Sequence, residues 1–126
     1  MTTRTTLSAC VDVLCDECPE QIWLRDRKGD EFAEWTFSDA REEINAAAAW
    51  LEKRYGASEV NMILLSRNCA HWVMADLAII GSGNVTIPLF TTLPAATAEY
   101  IVDVTDARVL ILGEADNWDA VRGVFA

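Results

Sequence analysis

Residues 60–90 read VNMILLSRNCAHWVMADLAIIGSGNVTIPLF, and the fold turns on how this stretch divides. Val60–Leu65 is a short apolar run, the pattern of a strand covered on both faces. Arg67 and Asn68 interrupt it. Ala70–Ile80 is then long enough for a helix and apolar almost all round, and Val85–Phe90 makes the next strand. A strand, a helix and a second strand in about 30 residues form a βαβ unit, with parallel strands and a right-handed crossover.

The pair Gly81 and Gly83 raises the question of a phosphate loop. A dinucleotide fingerprint places its glycines after a strand and before a helix, so that phosphate meets the free amides of a helix N-terminus. Here the order is reversed. The glycines follow the helix, where the dipole is negative, and Thr86 stands where a third glycine would be. No G-x-x-x-x-G-K-[ST] run occurs either. Gly81 and Gly83 therefore read as a helix C-cap and a tight turn into a buried strand.

Working outward, the alternation continues. Thr92-Leu93-Pro94 opens a third helix, Asp106-Ala107-Arg108 leads into the strand Val109–Leu112, and Asp116–Val124 can form a last helix. On the N-terminal side, Phe37, Ala40, Ile44, Ala47, Ala48, Leu51 and Tyr55 make one apolar stripe, so a helix spans Phe37–Tyr55. Thr36 with Asp39 forms its capping box, and Gly56 stands where an αL C-cap belongs. Gln21–Arg25 and Glu31–Phe37 read as a hairpin turning through Arg27-Lys28-Gly29-Asp30. Leu7 to Cys18 reads as a first helix that Pro19 ends. The fold class is α/β: an N-terminal helix (1–19) and hairpin (20–37), then βαβαβα units (38–126) forming a partial, mainly parallel, Rossmann-like sheet with helices on both faces. The 126 residues make a single unit.

Composition excludes several classes. The formal charge is -10, with 20 acidic and 10 basic residues and no basic arm. Such a surface repels phosphate backbones, which argues against nucleic-acid binding. The first 20 residues lack a basic n-region followed by an apolar run, so they are no signal peptide, and no apolar segment is long enough to span a bilayer. A cytoplasmic location follows as the default, with peripheral membrane contact left open for a full-length protein.

Candidate chemistry is sparse. Cys10, Cys15 and Cys18, with Cys69 downstream, match the C-x4-C-x2-C spacing of a plant-type ferredoxin, and an acidic electron carrier holding a [2Fe-2S] cluster is one alternative. The same cysteines fall on a helical stripe with Leu7, Val11 and Leu14, however, without the glycines that a cluster loop needs; on that reading they are small core residues. His71 is the only histidine and reads as a packed or surface residue rather than a base. Ser66 ends a strand, where ligands gather in open α/β sheets, but no nucleophile elbow surrounds it. Asp76 sits in an apolar helix. No nucleophile, base and orienting group combine. No catalytic, cofactor-binding or metal-binding residue is assigned, and a standalone α/β interaction module is a further alternative.

The order of elements from Thr36 resembles the N-terminal region of AMP-forming acyl-CoA synthetases, in the adenylate-forming superfamily. The residues that carry the resemblance are Thr36-Phe37, Ser66 and Asn68 ahead of His71-Trp72, Gly83 to Pro88, Thr92-Leu93-Pro94, and Asp106 to Ile111. The run Ile87-Pro88-Leu89-Phe90-Thr91-Thr92-Leu93-Pro94 looks most like the long-chain fatty-acid branch. The resemblance implies activation of a fatty acid with ATP and Mg2+ as an acyl-adenylate, then transfer to coenzyme A. The family's phosphate loop, magnesium motif, ribose aspartate and C-terminal lysine have no counterpart in these 126 residues. The resemblance thus implies the first part of a longer enzyme, inactive alone and prone to self-association through an exposed sheet edge.

Overall fold

In a computed structural model, which describes residues 6–126, the chain forms a two-stranded hairpin and a three-stranded parallel sheet with helices around them. Helix α1 spans Leu7–Glu17; Thr6 caps it by accepting from Ala9 N at 3.1 Å, and Cys18 precedes Pro19 at its end. Its apolar stripe divides. Cys15 is fully buried and its thiol donates to Phe37 O at 3.4 Å, whereas Cys10, Leu7 and Leu14 face outward. The expectation that the cysteines are all core residues holds only for Cys15, because a helix at the rim of the domain has neighbours on one side.

Strands β1 (Ile22–Lys28) and β2 (Glu31–Thr36) pair antiparallel around a two-residue turn in which Gly29 takes a φ of 63°. A register shift between Ile22 and Leu24 re-aims Trp23, whose ring stacks on Phe37 with centroids 5.0 Å apart. Helix α2 (Phe37–Tyr55) starts on the expected capping box: Asp39 N donates to Thr36 Oγ1, and Thr36 N to Asp39 Oδ2. It ends differently. Gly56 has a positive φ of 78°, but its ψ of 169° is extended, not αL. The chain leaves α2 straight toward the sheet, and Gly56 O accepts from Asn84 Nδ2 at 3.1 Å.

Strands β3 (Asn61–Leu65), β4 (Val85–Leu89) and β5 (Val109–Leu112) run parallel in the order β4-β3-β5, with α3 (Ala70–Gly81) and α4 (Ala95–Thr105) as crossovers. The chain steps from β3 to β4, then back past β3 to β5. Right-handed crossovers in opposite directions put their helices on opposite faces. Two separate cores result. Met62 and Leu64 pack with α2, α3 and the hairpin; Ile63 and Leu65 pack with α4 and Val121. Strand β3, whose Met62 to Leu65 are at most 1% exposed, is the spine of the molecule.

The turn Gly81–Asn84 is the expected link into β4, except that Gly81 is the last residue of α3 and Ser82, not Gly81, is its C-cap. Gly83 has a φ of 80°, and a Cβ there would lie 2.8 Å from that of Ala57. Asn84 ties the junction together: its Oδ1 accepts from Val60 N at 3.0 Å and its Nδ2 donates to Ser82 Oγ at 2.9 Å. Pro94 caps α4 from outside, where its lack of an N–H costs nothing. The last helix is shorter than expected: α5 covers Trp118–Val121 and tightens into a 3-10 turn over Arg122–Phe125. Gly123 inside that span weakens α-helix propagation.

Candidate functional site

A cleft of about 630 Å³ opens at the carboxyl ends of β3 and β5. The loop after β3 leads to α3 and that after β5 leads to α5, and these helices lie on opposite faces. The two loops therefore diverge, which is how open α/β sheets form a crevice at a reversal of strand order. Leu64, Met74, Ala75 and Ile111 give it apolar walls, with Ala46 and Ala47 of α2 and the indoles of Trp35 and Trp72 around them.

Two backbone bonds close the floor beyond the strands: Gly113 N donates to Leu65 O at 2.9 Å and Arg67 N to Glu114 O at 2.7 Å. The approach is so close that a Cβ on Gly113 would lie 2.7 Å from Ser66 Cβ and collide with its Oγ. Arg67 Nε reinforces the closure through Glu114 Oε2 at 3.0 Å, an exposed pair of small energetic weight. The hairpin forms the opposite wall. Asp26 Oδ1 accepts from Ala70 N at 2.9 Å, so the hairpin's carboxylate caps α3, whose own N-cap, Cys69, makes no side-chain cap bond.

The cleft gathers Ser66, Cys69 and His71. It does not make them a catalytic set. Ser66 is 8% exposed and its hydroxyl donates to Arg67 O at 2.9 Å. His71 lies in the open, edge-on to Trp35 with centroids 5.3 Å apart and 3.8 Å from Glu43 Oε1. Asp76, half-buried on α3, is not among the lining side chains. The cleft also includes Asp26, Lys28, Trp35 and Glu43, which sequence reasoning did not select, because only the docking of the hairpin on α3 brings them there. The alternation of β2, which turns Trp35 and Ala33 inward from Glu34, was the available signal.

The cysteines give no support to an iron-sulfur cluster. Cys10, Cys15 and Cys18 lie along a regular helix and its cap, with Cys15 turned inward and Cys18 Sγ donating to Leu14 O at 3.2 Å. Among the described residues no three His, Cys, Asp or Glu side chains gather as a metal site. The cleft is no better suited to a nucleotide. Asp26, Glu43 and Glu114 outnumber Lys28 and Arg67 along its lining, and Arg67 is already paired, so a triphosphate would meet more carboxylate than cation. The lining of this cleft therefore does not fit a triphosphate, and no chemical step is assigned to it.

The sheet with its diverging loops defines an open, doubly wound α/β domain. Residues 12–124 match the family model described as AMP-binding enzyme, and the chain belongs to that family. Among similar proteins is the nonribosomal peptide synthetase kk1B of Curvularia clavata, 27% identical over 105 residues, which cover 83% of this chain and 1% of that protein. The N-terminal subdomain of NpsA from Klebsiella oxytoca superposes with a TM-score of 0.77 at 16% identity, over 89% of this chain and 29% of that one. A fatty acyl-adenylate ligase from L. pneumophila, solved with acyl adenylate and pyrophosphate, gives 0.76 at 16% identity, over 86% and 20%. These likenesses show the fold of the adenylate-forming N-terminal subdomain. This chain spans a small part of each of these proteins.

Proposed function

We propose that the chain is the N-terminal scaffold of an ATP-dependent, AMP-forming ligase that activates a carboxylate as an acyl-adenylate, and that the acid is a long-chain fatty acid passed on to coenzyme A. The observation that carries the ligase reading is the family match across 12–124. The run Ile87–Pro94 supports the fatty-acid branch, and the structural likeness to a fatty acyl-adenylate ligase agrees with it. A second reading, an adenylating module that selects an amino acid, is favoured by the peptide synthetase among the relatives.

On either reading the residues of this chain hold the sheet and its crevice, while other parts of the enzyme supply ATP, Mg2+ and coenzyme A binding. The whole enzyme is placed in the cytoplasm on this reading, with peripheral membrane contact left open. The test is ATP–pyrophosphate exchange by the product of the complete reading frame, offered palmitate or a panel of amino acids. Palmitate-dependent exchange followed by palmitoyl-CoA formation supports the first reading; exchange with an amino acid alone supports the second. Pyrophosphate release by the 126-residue chain itself would show that the scaffold assignment is wrong.

A further inference from the structure

No further inference is drawn: the strongest candidate, the cavity of about 320 Å³ that α1, α2 and α3 enclose, carries nothing, because Arg41 on its wall is already held by Asp16 at 2.8 Å, Ser8 offers a single hydroxyl beside the apolar Val11, Ile44 and Leu77, and nothing in the structure shows what covers it.

Discussion

Gly113 and Cys15 show how single atoms set local behaviour. With Ser66 Cβ only 2.7 Å from where a side chain would begin, Gly113 is what allows the ends of β3 and β5 to close beneath the cleft. Gly113→Ala should cost about 1–3 kcal/mol, the usual range for overpacking, because both obstacles belong to a nearly buried residue with little room to move. Urea unfolding measures it, and Ser66→Gly in the same chain should recover part of the loss. Cys15 shows another effect of close packing. Burial pushes its thiol pKa up, with Arg41 opposing and Asp12 and Asp16 adding to the rise. A raised folded-state pKa favours the native state while the thiol is protonated, so this contribution is intact at neutral pH and declines as pH climbs through the ordinary thiol range toward the raised value. Iodoacetamide at mildly alkaline pH should therefore label exposed Cys10 readily and leave Cys15 unmodified until the chain unfolds, as peptide mass mapping would reveal.

At the scale of elements, the contact that organises the candidate site is between hairpin and helix. Asp26 places a carboxylate on the first amide of α3, combining a hydrogen bond with a favourable dipole interaction. Asp26→Asn keeps a possible acceptor but loses the charge, and should cost about 1 kcal/mol; Asp26→Ala should cost about 1–2 kcal/mol. Hydrogen exchange should speed up in the hairpin more than in β3 for either variant. The sequence did show the elements themselves. The capping box Thr36–Asp39, the stripe of α2 and the β3-α3-β4 alternation are local patterns, and they appear where expected. It did not show the cleft, because Asp26 meets Ala70 across 44 positions and nothing in either segment marks the pairing. The failed expectations share a cause. Leu7, Cys10 and Leu14 have the spacing of a buried stripe, but periodicity cannot tell that α1 has too few neighbours to cover it.

The whole molecule is two cores of unequal strength on one sheet. The side built on α2 and α3 buries Ala40, Ile44, Leu51, Met62, Leu64, Met74, Leu77 and Ile79 among others, and receives Trp23, Trp35 and Trp72 at its margin. The opposite side buries only Ile63, Leu65, Leu89, Ala98 and Val121, while Tyr100 and Val104 of α4 stay more than 60% exposed. At about 1.5–3 kcal/mol for each large apolar side chain fully buried, the imbalance amounts to several kcal/mol. Local opening follows such differences. In native-state hydrogen exchange, the amides of α4 and α5 should open together at a lower free energy than those of β3 and α3, and added denaturant should merge the two sets. Val121→Ala should cost about 1–3 kcal/mol, lowering the opening energy of α4 and α5 by that amount and that of α3 by less. If α4 and α5 instead exchanged only with global unfolding, the two cores would be one cooperative unit and their inequality would have no consequence for motion.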